Sequence, residues 1–592
     1  MELKYSEILQ NQPIYNIGSI GHVASGKSTL VRSITGIKTQ KHSSEQERNI
    51  TINIGYANAK IFIDKKGDLH TSSSNNEFLL DQDGENMILI SHISFVDVPG
   101  HDAFMSTMIS GSAVMDACIL VIASNENIPQ PQTYEHFEAV KNVDIKDFVI
   151  LQNKLDLVEK DNNKDILSKI KKFINNSVAE NAPIIPSSIQ NNINKNEILK
   201  NIVNISNYNN IKILNNKVNK DPCMIVIRSF DINKQNSNYK QLEGGVIGGS
   251  IVSGNLKIGD NIELRPGFII DNKYRPVYSK IISLQSDTKK LNYALPGGLI
   301  GVCLDIDPSL SRSNGMVGQM LGHVGKLPPV YNEIKIIYDE VKRYDGCLDK
   351  LKLGEDISIS INSMNIDCKV TKCKKNKLII KLSKPVCIFK KQKIAIFKSV
   401  SSKWVLYATA VFSDGIECEK DITEDDIYNE LVDIQDNSKT EINIINDLDN
   451  KYKCLELQSY DELINNIEFS QDSNNSIRID PPIVKKVNRD SIFTNYEKFI
   501  ESVNKNCKDI TYNSLFVEFL KNETSATCDI GKEGIVIRGN FRNSHIQTII
   551  VKFYNEYKKC LTCKSYSSYL FKDNRMLYKK CLDCSSQFCI NK

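Results

Sequence analysis

The chain has 592 residues, of which 41% are hydrophobic and 25% are charged, and its formal net charge at pH 7 is +4. One hydrophobic core stops growing at about 250 to 300 residues, so this length excludes a single-domain protein. The composition is that of a globular protein, and the small net charge does not by itself indicate a nucleic-acid-binding protein. Any RNA contact must therefore depend on local basic surfaces.

The sequence lacks the signals of secretion and membrane insertion. The first twenty residues have neither the basic start nor the uninterrupted apolar run of a signal peptide, and no apolar run of about 18 residues occurs. Of the 16 cysteines only the last five cluster, and isolated ones such as Cys118 are typical of small buried side chains in a reducing compartment. We therefore expect a cytoplasmic protein without disulfides.

The first motif is YNIGSIGHVASGKSTLVRSI, residues 15–34, which predicts a strand, a glycine loop and a helix. Gly21 to Ser28 fits G-x-x-x-x-G-K-[ST], in which backbone N–H groups at a helix N-terminus surround phosphates. In this pattern Lys27 contacts the β and γ oxygens and Ser28 ligates Mg²⁺. The predicted nucleotide contacts are Gly21, Val23, Ala24, Ser25, Gly26, Lys27, Ser28 and Thr29.

Two further segments supply the other phosphate-side groups in the chain order that such a fold requires. ERNITI places Thr51 where it can reach Mg²⁺ and the γ-phosphate in the triphosphate state only. ISFVDVPGH places Asp97 at the end of an apolar strand, where it can hold the magnesium shell. Gly100 follows, and its N–H can meet the γ-phosphate.

The next two segments predict the base. LQNKLD closes an apolar strand, and the Asp156 carboxylate can accept from guanine N1 and N2, whereas adenine would leave it buried and unpaired. PIIPSSIQ places Ser188 and the Ile189 backbone N–H to cap the guanine carbonyl. We therefore expect GTP with Mg²⁺. The predicted base-side contacts are Asn153, Lys154, Asp156, Ser188, Ile189 and Gln190.

These motifs together resemble the gamma subunit of eukaryotic and archaeal translation initiation factor 2. The resemblance includes ERNITINIGYANAKI, FVDVPGHDAFM and NENIPQPQTYEH, and it continues through GGVIGGSIVSGNLKIGD to about residue 412. It implies a P-loop GTP-binding domain over 1–215 and β-barrels over 216–328 and 329–415. Short β-branched runs with regular glycines agree with barrels. Departures from the family pattern are Ser25, Ile189 and a segment 64–86 without cysteine, where we predict no metal site.

The resemblance also implies how GTP is hydrolysed. His101 stands where translational GTPases orient the attacking water, and the implied catalytic set is Lys27, Thr51, Asp97 and His101. No arginine is an obvious stabiliser of the leaving phosphate, so hydrolysis should be slow without an activating partner.

Residues 416–458 are predicted to form an acidic linker, because 421–450 contain ten acidic residues and one lysine, Lys439. SYDELINNIEF follows, with a capping box from Ser459 and Glu462. Its apolar residues have helical spacing and form one narrow stripe, which needs either a partner surface or a core of its own domain. The stripe consists of Tyr460, Leu463, Ile464 and Ile467.

From about residue 459 the chain resembles the beta subunit of the same factor. This implies a gamma-docking helix at 459–470, a small α/β domain at 480–558 and a zinc ribbon at 559–592. A helix that begins at Asn543 and a hairpin in CDIGKEGIVIRG agree with that domain. The expected architecture is therefore multidomain, with an α/β P-loop GTPase domain, two β-barrels, an acidic linker, a small α/β domain and a C-terminal zinc ribbon in one fused chain.

The C-terminus contains Cys560, Cys563, Cys581 and Cys584 in two C-x-x-C pairs separated by 17 residues. This spacing predicts a tetrahedral structural Zn²⁺ site. Basic and aromatic residues between the pairs suit contact with RNA, or they form a merely solvated face. They are Lys558, Lys559, Lys564, Lys572, Arg575, Lys579, Lys580, Tyr566, Tyr569 and Tyr578.

The expected function is that of the family: a GTPase that in its GTP state binds initiator methionyl-tRNA and delivers it to the small ribosomal subunit. The implied partners are a separate alpha subunit, GTPase-activating factors and nucleotide-exchange factors, with no membrane. Two alternatives remain open at this point. One is an elongation-type or selenocysteinyl-tRNA-carrying GTPase, and the other is a GTP-binding scaffold that does not hydrolyse GTP.

Overall fold

In a computed structural model the chain forms two compact units. The first comprises Met1–Gln40, Ile50–Leu155 and Asp161–Glu468, and the second comprises Lys41–Asn49, Asp156–Lys160 and Phe469–Lys592. No helix among the described residues is long and apolar enough to cross a membrane. The structure describes residues 2–40, 45, 51, 53–81, 83–101, 104–141, 145, 147–158, 162–207, 210–233, 243–341, 348–400, 403–421, 441–449, 452, 454–465, 482–487, 490–497, 499–500, 512–524, 526–531, 534–560, 568–573, 576–582 and 586–590.

Strands and helices alternate in the first 218 residues, and strands predominate between 223 and 417. The strands are β1 Glu2–Lys4, β2 Tyr15–Ile20, β3 Gly55–Ile63, β4 Leu69–Ser73, β5 Ile88–Asp97, β6 Ala117–Ala123, β7 Asp147–Asn153, β8 Ile184–Pro186, β9 Cys223–Phe230, β10 Val246–Ser253, β11 Leu256–Lys257, β12 Asn261–Ile270, β13 Lys273–Ser286, β14 Lys289–Leu291, β15 Tyr293–Ala294, β16 Ile300–Leu304, β17 Met320–His323, β18 Val330–Glu340, β19 Asp356–Ile361, β20 Met364–Lys374, β21 Lys377–Cys387, β22 Lys393–Val400, β23 Lys403–Glu417, β24 Asn443–Ile445, β25 Val484–Val487, β26 Asp490–Phe493, β27 Cys528–Gly531, β28 Gly534–Arg538, β29 Ser568–Asp573, β30 Met576–Cys581 and β31 Gln587–Ile590. The α-helices are α1 Tyr5–Asn11, α2 Lys27–Thr35, α3 Met105–Ser112, α4 Pro131–Lys141, α5 Asn163–Ile174, α6 Lys195–Asn207, α7 Asn210–Val218, α8 Tyr460–Ile464, α9 Tyr512–Thr524 and α10 Asn543–Phe553. The 3-10 helices are Leu155–Leu157, Ile189–Asn191 and Pro308–Asn314, and a π-helical turn, Tyr554–Lys558, extends α10.

Seven strands form a mainly parallel sheet in the order β4-β3-β5-β2-β6-β7-β8. The five strands from β5 to β8 in this order are parallel, whereas β3 and β4 are antiparallel at one edge. β6, with the sequence ACILVIA, is buried along its whole length, which explains why it is a continuous apolar run. A sheet of this kind brings the loops after its parallel strands to one edge, where ligands bind in α/β folds.

The next domain is a β-barrel with strand order β12-β17-β9-β10-β16-β13, closed because β12 also pairs with β13. Inside it, the buried carboxylate of Glu263 lies 3.0 Å from the Arg265 guanidinium. The same guanidinium donates to the carbonyl of Leu327 at 2.9 Å, on the segment that leads into the next barrel. A buried ion pair thus fixes the exit from this domain.

The third domain is a closed barrel with the order β18-β21-β20-β19-β22-β23. Its strands alternate inward apolar and outward polar residues; on β20, Ile366, Cys368 and Val370 are buried while Asp367 and Lys369 are exposed. The predicted GTPase domain followed by two barrels is confirmed.

Residues 441–449 lie inside the first unit, although the sequence predicted an acidic linker there. β24 pairs in parallel with β1, with Leu3 opposite Ile444. The side chains of Ile442 and Ile444 are buried in the core of the GTPase domain. This part of the predicted linker is therefore packed structure, and residues 422–440 lie outside the described residues.

The helix α8 begins with the predicted capping box. The Ser459 hydroxyl accepts from the Glu462 backbone N–H, and the Glu462 carboxylate accepts from the Ser459 N–H at 2.8 Å. Leu463 and Ile464 are buried, and Leu463 belongs to the core of the GTPase domain. The apolar stripe of this helix therefore packs on that domain, while Ile467 lies outside the described residues.

The second unit contains an antiparallel sheet in the order β25-β26-β28-β27, followed by a three-stranded sheet, β29-β30-β31. The predicted hairpin is confirmed, because β27 pairs with β28. The predicted start of α10 at Asn543 is also confirmed. The core of this unit is aromatic, with the rings of Phe499 and Phe553 at 4.7 Å and 5.0 Å from that of Phe516.

Candidate nucleotide site and candidate zinc site

The phosphate-binding loop lies between β2 and α2. Gly21 has φ +140° and Gly26 has φ +112°, values that L-residues with a side chain rarely adopt. A Cβ at Gly21 would also lie 2.3 Å from the carbonyl oxygen of Val121. Both glycines are therefore required by the backbone path of the loop.

The side chain of Lys27 turns back onto this loop. Its Nζ is buried and donates to the carbonyl oxygens of Gly21 at 2.9 Å and His22 at 2.7 Å. Burial lowers the pKa of Lys27 to about 8, and the nearby Asp97 opposes this shift. A Cβ at Gly100 would lie 2.3 Å from Nζ, so the glycine leaves room for this ammonium group.

Asp97 ends β5 and is completely buried. Its carboxylate accepts from the Ser19 hydroxyl at 3.0 Å and from the Thr39 hydroxyl at 2.6 Å. Burial raises the pKa of Asp97, and hydrogen bonds from Thr39, Ser28 and Ser19 oppose that shift. The sequence analysis did not find Thr39, because it lies in no motif and is distant from Asp97 along the chain.

Beside this carboxylate, the hydroxyls of Ser28 and Thr51 lie 3.0 Å apart. Hydroxyl and carboxylate oxygens are the ligands that Mg²⁺ prefers, usually together with waters and phosphate oxygens. The residues predicted for magnesium are thus brought together, and their oxygen donors fit that ion.

On the base side, Asn153 connects two loops. Its Nδ2 donates to the Ser25 carbonyl at 2.8 Å, and its Oδ1 accepts from the Ile189 N–H at 3.1 Å. The Ile189 N–H, which we expected to cap guanine, is therefore bonded to Asn153 in this structure. The Ser188 hydroxyl next to it is buried and has no hydrogen-bond partner among the described residues, so it is the donor available to a base.

The remaining predicted residues lie at the same edge of the sheet or in the loops beyond it. Lys154 follows β7 directly with φ +62°, and Asp156 lies in the 3-10 helix Leu155–Leu157, half-buried. His101 is exposed, with its ring centroid 6.0 Å from that of Phe104. Val23 and Thr29 are half-buried, and Ala24 and Gln190 are exposed.

The C-terminal cysteines form a separate candidate site in the second unit. Cys560 and Cys581 are completely buried in one small cluster, and half-buried Phe588 packs against it. Cys563 and Cys584 lie outside the described residues. Within the part of the chain that is described, no three His, Cys, Asp or Glu side chains form a metal-binding group. The structure thus brings together one cysteine from each predicted pair.

Two lysines beside these cysteines are not on the predicted basic surface. Lys558 and Lys579 are buried, and the Lys579 ammonium donates to the carbonyls of Glu556 and Lys559, each at 2.7 Å. Burial lowers the pKa of Lys579, while the adjacent Cys560 opposes this shift. These two side chains therefore support the local fold rather than an RNA-binding face.

Comparison with known families gives three matches. The model of the elongation factor Tu GTP binding domain matches residues 12–207, that of initiation factor eIF2 gamma, C terminal, matches residues 333–411, and that of a domain found in initiation factors 2B and 5 matches residues 468–587. The chain is 42% identical over 428 residues to eukaryotic translation initiation factor 2 subunit 3 of Drosophila melanogaster, which covers 68% of this chain and 88% of that protein. It is 41% identical over 430 residues to the gamma subunit of the same factor from Schizosaccharomyces pombe, which covers 69% and 95%.

Two solved structures have a similar fold. One is the elongation factor SelB of Methanococcus maripaludis in complex with the GTP analogue GppNHp, with 17% identity, a TM-score of 0.50, and coverage of 68% of this chain and 80% of that one. The other is the bacterial selenocysteine-specific elongation factor EF-Sec, with 18% identity, a TM-score of 0.52, and coverage of 90% and 81%. At these identities the likeness concerns the fold alone.

The phosphate loop, the buried aspartate and lysine, and the two following barrels define a GTPase of the elongation factor Tu type. Within that class, the chain belongs to the gamma-subunit family of translation initiation factor 2, and its gamma part is fused to a beta-like C-terminal part. It is therefore an initiation factor GTPase, and the known role of its family is delivery of initiator methionyl-tRNA. The identity of the relatives excludes the elongation-type alternative.

Proposed function

We propose that this chain performs the family's role as one polypeptide, and that Thr51 transmits the nucleotide state to the tRNA-binding surface. The observation that most directly supports this is the 3.0 Å contact between the hydroxyls of Thr51 and Ser28. It places a residue from beyond α2 within reach of the phosphate loop. Loss of the γ-phosphate would remove the reason for this arrangement and release the segment around Thr51.

In this proposal the buried groups bind and orient the triphosphate. Lys27, now bonded to two loop carbonyls, transfers its hydrogen bonds to phosphate oxygens. Bound Mg²⁺ supplies charge neutralisation between the phosphates, and the residues that would hold it are Ser28 and Thr51, with Asp97 orienting its shell. The hydroxyls of Ser19 and Thr39 keep the Asp97 carboxylate in position.

The guanine-binding part relies on Asp156 and on the available Ser188 hydroxyl. The carboxylate of Asp156 accepts from guanine N1 and N2, and Ser188 donates to the guanine carbonyl. Asn153 holds the loops of both contacts together through its bonds to Ser25 and Ile189.

Hydrolysis in this proposal depends on an activating partner. His101 is exposed and so is accessible to a protein or ribosomal surface that would turn it toward the attacking water. We expect His101→Ala to lower partner-stimulated turnover by about 100-fold or more while GDP affinity stays unchanged. Unchanged stimulated turnover would assign His101 a packing role only, and would favour a different water-orienting group.

The C-terminal part completes the proposed assembly. Cys560, Cys563, Cys581 and Cys584 would hold a structural Zn²⁺, which the burial of Cys560 and Cys581 in one cluster supports. A separate alpha subunit, an exchange factor and the small ribosomal subunit are the further partners, and the site of action is the cytoplasm.

The central experiment measures the affinity for initiator methionyl-tRNA with a non-hydrolysable GTP analogue and with GDP. We expect binding at least tenfold tighter with the analogue, and Thr51→Val should abolish that difference without loss of GDP binding. Thr35→Val, at the end of α2, is the matched control, since among the described residues its hydroxyl bonds the Val31 carbonyl and the Ile37 N–H of its own segment. Equal affinity in both nucleotide states would refute the proposal.

A further inference from the structure

The side chains of asparagines on one face of the GTPase domain bind the backbone of the segment that precedes the beta-like part. Asn215 on α7 uses its whole amide on Ile444, accepting from its N–H at 2.8 Å and donating to its carbonyl at 3.1 Å. Asn219, one helical turn further, does the same with Ile442, and both distances are 2.9 Å. Each amide thus replaces a neighbouring strand.

The same contact recurs on α6. Asn204 accepts from the Leu455 N–H at 2.6 Å and donates to the Leu455 carbonyl at 2.9 Å. The buried carboxylate of Glu197, on the same helix, accepts from the Gln458 N–H at 2.9 Å. We term the described residues from 441 to 465 the docking segment, because its backbone is bonded to α6 and α7 over this length.

Side chains of the docking segment enter the core of the GTPase domain between these hydrogen bonds. In β24 the burial alternates, with Ile444 buried and Asn443 and Ile445 exposed. Leu455 packs against the same core, and Leu463 is buried within it. The contact therefore combines backbone recognition with apolar burial, as a strand added to a sheet does.

The docking segment also completes the N-terminus of the chain. β24 gives β1 its parallel partner, and the Asp447 carboxylate accepts from the Ser6 N–H at 2.9 Å. A carboxylate in this position satisfies a free N–H in the first turn of α1 and interacts favourably with the helix dipole. Two elements at opposite ends of the gamma part therefore depend on this segment.

We infer that the docking segment is a non-covalent interface between the beta-like part and the GTPase domain, sufficient to hold them together when the chain is cut between residues 422 and 440. The surface formed by Asn204, Asn215 and Asn219 selects an extended backbone, and the buried isoleucines set its register. The inference goes beyond the proposed function, since it concerns association and does not depend on tRNA or nucleotide.

The experiment uses the full chain with a protease recognition sequence inserted after residue 430. After purification and complete cleavage, we expect the two fragments to co-elute in size-exclusion chromatography at submicromolar concentration. The variant Asn204→Ala/Asn215→Ala/Asn219→Ala should weaken this association by about tenfold for each paired amide lost, and its fragments should separate. Asn201→Ala is the matched control, because Asn201 lies on α6 but donates to the Glu197 carbonyl of its own helix.

Separation of the wild-type fragments would overturn the inference, as would a triple variant that associates as tightly as the control. If the triple variant does not fold, hydrogen exchange in the cleaved wild-type protein decides the question. The amides of Ile442, Ile444 and Leu455 should then remain protected after cleavage, and their rapid exchange would equally refute the interface.

Discussion

The hydrogen bond from Thr39 to Asp97 leads to the sharpest test of the nucleotide site. Thr39→Val keeps the shape of the side chain, which packs closely against Gly55, where a Cβ would lie 2.6 Å from that of Thr39. It removes the hydroxyl that donates to the Asp97 carboxylate at 2.6 Å. A hydrogen bond to a charged group contributes about 1.5 to 3 kcal/mol, which corresponds to roughly 10- to 150-fold in affinity.

The loss should appear in Mg²⁺ affinity, because magnesium requires the ionised form of this carboxylate group. Burial already raises the pKa of Asp97 and the Thr39 hydrogen bond is the largest opposing effect, so the variant favours the protonated form further. We therefore expect the free Mg²⁺ concentration that half-maximally slows release of a fluorescent GDP analogue to rise by about 10- to 150-fold. Thr39→Ser should restore the wild-type value.

The control is Thr35→Val, which removes a buried threonine hydroxyl that donates to the Val31 carbonyl at 2.8 Å and does not touch Asp97. Both valine variants should lose some stability against thermal unfolding, but only Thr39→Val should change the magnesium dependence. If the two variants have the same magnesium dependence as the wild type, the reasoning about Asp97 is wrong, and Thr39 has a packing role only.

Three further predictions concern the nucleotide site and the zinc site. Burial lowers the pKa of Lys27 to about 8 in the free protein, and a bound phosphate would raise it, so GDP affinity should be constant below pH 8 and fall by up to about tenfold per unit above it; a titration that is flat from pH 7 to 9 would contradict this. Asp156→Asn should weaken GDP binding by about 10- to 100-fold and favour xanthosine diphosphate, whose carbonyl at position 2 accepts from the new amide; competition binding measures both, and an unchanged preference for guanine would exclude this contact. The purified chain should contain one zinc per molecule, and Cys560→Ser or Cys581→Ser should lose the metal and unfold the ribbon at lower temperature; metal analysis that finds no zinc in the wild type would refute the site.

Much of the GTPase domain could be predicted because its information is local. The phosphate loop, Asp97 and Asn153 each follow an apolar strand directly, and parallel strands bring such positions to one edge of the sheet. The positions of the barrels were equally accessible from short alternating runs. What the motifs could not reveal was Thr39, whose contact with Asp97 depends on the path of the chain between two motifs.

The packed part of the predicted linker was missed for a related reason. Its acidic and asparagine-rich composition is typical of disorder, and its partners, Asn204, Asn215 and Asn219, lie more than 200 residues away in the sequence. The buried lysines are a second example. Lys558 and Lys579 look like surface charges in a basic stretch, and only the folded chain shows that nearby carbonyls accept from their ammonium groups.

The pairing of β1 with β24 has a consequence for biosynthesis. Leu3 leaves the ribosome among the first residues, yet its partner Ile444 is translated some 440 residues later. During elongation the amino terminus therefore waits with an unpaired strand edge and an uncapped first helix. A nascent GTPase domain of this kind would be exposed to chaperones, or to a second copy of the late segment, until its own arrives.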